Sequence, residues 1–166
     1  MPDTLKVCAD PAYLPFSDRA GDGFENAIAR AIGGYLNEPV EYTWRSYRGN
    51  GGFEEFLAQT LNAHRCDLVM DLPYGSGEAF TTDPYYVSSY VFVLRRDKPV
   101  PNERALGSPE RYSFPMSMAV RSDDQALAER LNAVIRDHKE ALVDILEHHG
   151  VRLYRPSVGP NGLNQM

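Results

Sequence analysis

Apolar and polar positions change period several times along this chain, and each change marks an element. Leu5 to Asp10 is a short, nearly continuous apolar run, as expected of a buried strand. Pro11 and Pro15 end it, and residues 17–23 form a polar turn. Phe24, Ala27, Ile28, Ala31, Ile32 and Tyr35 then recur at helical spacing, with Glu25 in the first turn, where an acid suits the helix dipole. Gly33 and Gly34 weaken the end of that helix. Val40 to Trp44 alternates as a half-exposed strand. Past a glycine-rich loop, Phe53, Phe56, Leu57 and Leu61 mark a second amphipathic helix. Asp67 to Asp71 reads as a third strand, Leu72 to Ala79 as a loop, and Tyr86 to Arg96 as a long strand. Pro99, Pro101 and Pro109 with polar neighbours read as a connection. Tyr112 to Arg121 gives a fifth strand, with Met116, Met118 and Val120 on one side. Ser122-Asp123-Asp124 opens a helix lined by Leu127, Leu131, Val134 and Ile135. A last helix over 140–148 turns Leu142, Ile145 and Leu146 inward and stops at Gly150. Residues 154–166 carry little core material and read as a flexible tail.

Strands alternating with helices predict an α/β domain on a parallel-dominated sheet with right-handed crossovers. The 166 residues, 43% hydrophobic and 24% charged, suffice for one domain with a sizeable core. No apolar run approaches the roughly 18 residues a membrane span needs. The net charge of -6 argues against a nucleic-acid partner, because phosphate contacts need a positive field.

Candidate chemistry is sparse. Two cysteines cannot build a four-thiolate zinc site. Cys8 lies in the first strand and Cys66 just before the third. Neighbouring strands would bring the two sulfurs within reach, so both a disulfide and two buried free thiols stay open. Asp10, Asp67, Asp71 and Asp83 stand at strand ends, where aspartate commonly makes turns and caps. His64, His138, His148 and His149 stand at or near helix ends. None of these makes a nucleophile–base order, so no catalytic residue, metal or cofactor is expected.

The wording Cys8-Ala9-Asp10-Pro11…Leu14-Pro15-Phe16-Ser17, then Gly23-Phe24-Glu25, Arg65-Cys66-Asp67 and Thr81-Thr82-Asp83-Pro84-Tyr85-Tyr86 resembles the first lobe of a type 2 periplasmic solute-binding protein. Within that class it is most similar to the binding-protein-like accessory proteins of PQQ-dependent methanol dehydrogenases. The resemblance covers residues 4–97 well and 112–153 moderately. It implies a three-layer α/β sandwich, a periplasmic location with the leader removed, and no cofactor. Met1 to Thr4 has neither the charged nor the apolar region of a signal peptide.

A full protein of that class builds a second lobe between strands like Tyr86–Arg96 and Tyr112–Arg121. Here the gap is about 15 residues, whereas one βαβ unit needs about 30. The expectation is therefore a single lobe over 1–153, with 97–111 as a short connection replacing the second lobe and 154–166 as tail. A lone lobe gives half a cleft. Amino-acid-binding relatives clamp the ligand carboxylate with an Arg after the third strand, and this chain has Leu72-Pro73-Tyr74-Gly75-Ser76-Gly77-Glu78 there.

By the same resemblance, the cleft side gathers Asp10, Tyr13, Phe16, Trp44, Tyr47, Asp71, Tyr74, Tyr85 and Tyr86, expected as one face. Aromatic rings at a rim suit a protein interface, although each ring alone suits core cover. The expected partner is a PQQ-dependent dehydrogenase or a second copy of the chain. Two alternatives are a small-solute lobe of a transport system and a degenerate receiver domain, in which Asp71 would be the phospho-acceptor. An enzyme on the binding-protein scaffold is a further one, disfavoured because such sites exclude water with both lobes.

Overall fold

Val7 and Cys8 leave the central strand on opposite sides, and both are fully buried. Val7 enters the larger of two apolar clusters and Cys8 the smaller. The computed structural model describes residues 3–90, 93–99, 101–102 and 109–154. Among these the order is β1 (Leu5–Ala9), β2 (Ala12–Tyr13), β3 (Ser17–Asp18), α1 (Phe24–Leu36), β4 (Val40–Trp44), α2 (Gly52–Gln59), β5 (Leu68–Pro73), β6 (Phe80–Thr81) and β7 (Tyr86–Ser89). A 3-10 turn (Pro109–Tyr112), β8 (Ser113–Val120), α3 (Gln125–Asp137) and α4 (Lys139–His148) follow.

The main sheet runs β4-β1-β5-β8-β6, and β7 also pairs with β8. Leu5, Val7, Leu68 and Met70 pack with Ile28, Ile32, Leu131 and Leu142 of α1, α3 and α4 on one face. Val69, Leu72 and Ala119 pack with Phe56 and Leu57 of α2 on the other. The result is a three-layer α/β sandwich. One glycine in α1 is required by its neighbours. A Cβ on Gly33 would stand 2.6 Å from Val40 Cγ2 and 2.7 Å from the Glu38 carbonyl oxygen, so the glycine lets the helix end approach β4.

Three expectations need correction. The sheet is not parallel-dominated: β4 and β5 flank β1 in parallel, but β5, β6 and β7 all meet β8 antiparallel. Strand β8 returns along β7 in the opposite direction. That direction also removes the receiver-domain reading, which needs a fifth parallel strand. The strand expected over Tyr86–Arg96 is observed over Tyr86–Ser89, paired with β8 as far as Ser113, and one further backbone bond runs from the Tyr90 N–H to the Tyr112 carbonyl at 2.9 Å. Tyr90 and Val93 beyond it are 74% and 92% exposed, and residues 91–92 lie outside the described residues. Finally, Leu72 and Pro73 extend β5 rather than opening a loop, and Phe80–Thr81 forms the short β6.

Two ties fix the amino end of β5 to its neighbours. Cys8 and Cys66 are joined by a disulfide, with Cα atoms 5.6 Å apart. Beside it, the Arg121 guanidinium donates to the Cys66 carbonyl at 2.5 Å and to Asp67 Oδ1 at 3.1 Å. Of the expected tail, Tyr154 donates its backbone N–H to Val87, and residues 155–166 lie outside the described residues. Part of the expected 97–111 connection, residues 100 and 103–108, lies outside them too.

Candidate functional site

The carboxyl ends of β4, β1 and β5 open on one end of the sheet, where ligand sites of α/β folds usually form. Asp10 organises that end. Its carboxylate is 2% exposed and accepts N–H bonds from Ala12 at 2.9 Å and Tyr47 at 2.7 Å. The Ser17 hydroxyl donates to the Asp10 carbonyl at 2.8 Å. Asp10 thus ties the loop after β4 to the small β2–β3 hairpin. It is a structural acceptor whose two oxygens are both engaged.

The hairpin is clamped in turn to the first turn of α1. Phe24 and Glu25 donate their N–H groups to the carbonyls of Pro15 and Phe16, each at 2.9 Å. Asn26 Oδ1 accepts from the N–H groups of Asp18 and Gly23. Gly23 is required here: an added Cβ would fall 2.1 Å from the Phe16 carbonyl oxygen. Polarity along residues 17–23 predicts a turn there but not the clamp. The Gly23-Phe24-Glu25 spacing carries it.

A chain of ring contacts crosses this end. Phe53 and Phe56 of α2 meet Tyr47, with centroids 5.3 and 4.5 Å apart. Tyr47 meets Tyr13 edge to face, and Tyr13 stacks on Phe16 at 4.8 Å. Phe16 continues to Phe24, Phe24 to Tyr86, and Tyr86 to Tyr85. Such pairs contribute about 0.5–1.5 kcal/mol beyond the area they bury.

The expected single face of seven rings is corrected by this arrangement. Tyr85 and Tyr86 are core residues, 4% and 8% exposed, and the Tyr85 hydroxyl donates to the Met70 carbonyl at 2.8 Å. Trp44 stands apart from the ring chain, stacked on Tyr42 at 4.5 Å with the Arg19 guanidinium 5.7 Å from its ring. Tyr13, Phe16 and Tyr47 are half-buried, and Tyr74 is 53% exposed. A residue reaches this end buried or exposed according to its strand. Tyr85 and Tyr86 enter β7 beneath α1, whereas Tyr74 follows the last residue of β5.

Asp71 is aimed by an irregularity in β5. Pairing with β8 shifts register between Val69 and Leu72, and those two side chains share one apolar cluster although they are three residues apart. Strict alternation would separate them, so the strand bulges at Met70–Asp71. Asp71 Oδ1 is buried with no hydrogen-bond partner among the described residues, and burial pushes its carboxyl up to about 6. Glu25, in the first turn of α1 as the spacing predicts, is 1% exposed, with both carboxyl oxygens unpartnered among the described residues. Burial, and secondarily the Asp71 charge, raises its pKa well above the ordinary range. Burial first, then Glu25, Asp71 and Asp10, likewise raises the Tyr47 hydroxyl. No group of three or more His, Cys, Asp or Glu side chains is placed to hold a metal ion among the described residues.

With sheet order, hairpin and ring chain in place, the molecule can be classed. It has the fold of a type 2 periplasmic binding protein lobe. By sequence the chain is related to protein MoxJ of Paracoccus denitrificans, 34% identical over 98 residues, an alignment that covers 57% of this chain and 33% of that protein. The chain thus spans about a third of the length of this curated relative. Crystal structures of MxaJ from Methlophaga aminisulfidivorans and of periplasmic binding protein XoxJ from Methylobacterium extorquens share the fold. They superpose with TM-scores of 0.72 and 0.65 at 20% identity, covering 91% and 92% of this chain and 100% of each of theirs. No family model matches the chain.

Proposed function

We propose that this chain is a non-catalytic, periplasmic binding-protein-like module of methanol oxidation, and that its carboxyl-end surface contacts a PQQ-dependent methanol dehydrogenase. The relation to MoxJ supports the setting. The periplasmic location is carried by that relation and by the shared fold. Residues 1–153 form one lobe in this reading, with 97–111 as a short connection in place of a second.

The observation that carries the reading is the state of the aromatic end. Tyr13, Phe16 and Tyr47 are half-buried, anchored from behind by Phe24, Phe53 and Phe56, while Leu14 and Tyr74 project beside them at 59% and 53% exposure. Tyr13 and Phe16, held from behind and half-buried, with Tyr74 exposed beside them, match the anchors of protein interfaces, which lose little side-chain freedom on binding. A solute would need enclosure on both sides, and this lobe supplies one.

The test is sedimentation velocity of the purified chain with the PQQ-dependent methanol dehydrogenase of the same organism. A saturable complex that Tyr13→Ala with Tyr74→Ala weakens is the expected result. No complex at about 0.1 mM, a weak protein–protein regime, overturns the reading.

A further inference from the structure

Asp10 and Glu25 are buried carboxyl groups at the same end of the sheet, and they are treated in opposite ways. Asp10 accepts two backbone N–H groups. Glu25 accepts none among the described residues. An ionised carboxylate without donors or a counter-cation costs several kcal/mol to bury, so such groups take a proton instead.

The groups around Glu25 reinforce this. Asp71 faces it from β5, and its charge opposes a second one nearby. Burial first, and the Glu25 charge after it, raises the hydroxyl pKa of Tyr42 from β4, Tyr47 from the loop after β4, and Tyr85 and Tyr86 from the entry to β7, so these neighbours stay neutral and supply no counter-cation. Arg30, one turn further along α1, acts on Tyr42 and donates to the Gly21 carbonyl. It makes no ion pair with Glu25.

Position makes this proton consequential. Glu25 sits in the middle of the three residues that hold the hairpin: Phe24 and Glu25 through their N–H groups, Asn26 through its side-chain oxygen. An ionised Glu25 must gain water or move outward, and either movement pulls on that turn. We propose that Glu25 is held as a neutral carboxylic acid beside Asp71, and that loss of its proton loosens the first turn of α1 together with the β2–β3 hairpin. The hairpin carries Tyr13 and Phe16, so the aromatic end is ordered when Glu25 is protonated and loosened when it is not. The inference stands on the clamp and the buried pair, independently of what the face binds.

The sign of the pH effect follows. Both carboxyls have folded pKa values raised above those of the unfolded chain. Their contribution to stability is complete below about 4, the unfolded range, and is lost as pH rises through the folded values. Asp71 gives up its share between about 4 and 6, and Glu25 begins to give up its share at the same unfolded value and goes on losing it until pH has passed its own raised folded value.

Two measurements on the full chain decide the matter. The first is carbon-13 NMR titration of glutamate side-chain carboxyls, with Glu25 assigned through bonds. Glu25 is expected to remain protonated at pH 6. The second is hydrogen exchange of peptides spanning 11–27, corrected for the intrinsic pH dependence of exchange. Protection is expected to fall at least about tenfold from pH 6 to 9 in the parent and in the surface control Glu140→Gln, and less than about twofold in Glu25→Gln. A Glu25 carboxyl ionised at pH 6, or equal loss of protection in the parent and Glu25→Gln, overturns the proposal. If Glu25→Gln does not fold, the parent's carboxyl titration decides alone.

Discussion

Tyr13 and Tyr47 meet edge to face with ring centroids 5.4 Å apart, and this contact joins the hairpin after β1 to the loop after β4. It links the rings backed by α2 to the rings backed by α1 into one support. A partner resting on the end of the sheet would therefore meet a rigid surface. Interface anchors of this kind cost about 2 kcal/mol each on truncation, so Tyr13→Ala should weaken the dehydrogenase complex by about 30-fold. Tyr74→Ala should act in the same direction. Arg95→Glu, in an exposed ion pair with Asp97 outside the ring chain, should change affinity by less than about threefold. Titration calorimetry checks this. Equal loss from Arg95→Glu and Tyr13→Ala would point to steering by charge instead.

The disulfide is a second test of the architecture. Cys8 and Cys66 are both fully buried, and 58 residues of sequence separate them. A loop of that length restricts the unfolded chain enough to stabilise the fold by about 4 kcal/mol. Cys8→Ala with Cys66→Ala should lower the urea-unfolding free energy by about that amount. A loss below about 1 kcal/mol would mean that packing around the pair, rather than the cross-link, holds β1 against β5.

Gly23 and Gly34 make a matched pair at the two ends of α1. Gly23→Ala would drive a Cβ into the Phe16 carbonyl, and the hairpin clamp must open to admit it. A cost of about 3 kcal/mol is expected, the upper range for overpacking. Gly34 has nothing within 4 Å of an added Cβ, so Gly34→Ala should stabilise by about 0.5–1 kcal/mol through helix propensity. Thermal and urea unfolding of the two variants should move in opposite directions. Similar shifts would show that the close approach at Gly23 relaxes at little cost.

The pattern of this molecule was legible where a residue's period settles its environment. The amphipathic faces of α3 and α4, the Phe24, Ile28 and Ile32 stripe of α1, and the buried run of β1 are where the apolar spacing put them, whereas Tyr35 of the expected α1 face is 41% exposed and stacks on His138. The direction of β8 was not legible, because period-2 alternation is the same for a strand running either way. Strand length failed past Ser89, because an aromatic and β-branched run carries no signal of where the paired segment stops. The seven-ring face failed for a related reason. Loop position brings Tyr85 and Tyr74 to the same end, but it does not tell which ring a helix will cover. Glu25 was missed because a first-turn acid has an ordinary explanation on the surface. Only the fold shows that the Phe16 loop and Asp71 close over it.

Free amino acids should not bind this lobe with micromolar affinity. Relatives that capture them use an Arg after the third strand to hold the carboxylate through two parallel hydrogen bonds. The corresponding segment here ends β5 at Pro73 and continues through Tyr74, Gly75, Ser76 and Gly77, with no cation in it. The acids nearby do not substitute for that clamp: Asp10 is satisfied by backbone N–H groups, and Glu25 is buried beneath the rings. An Asp71 carboxylate could take the ammonium of a zwitterion, but the zwitterion's own carboxylate would be left without a cation in the segment after β5. The zwitterion would also keep one side in water, forfeiting the burial that small ligands depend on. Calorimetric titration of the twenty common amino acids should give only heats of dilution. One saturable isotherm at micromolar concentration, abolished by Asp71→Asn, would show that the half-cleft is a working solute site and would move the function from protein contact to transport.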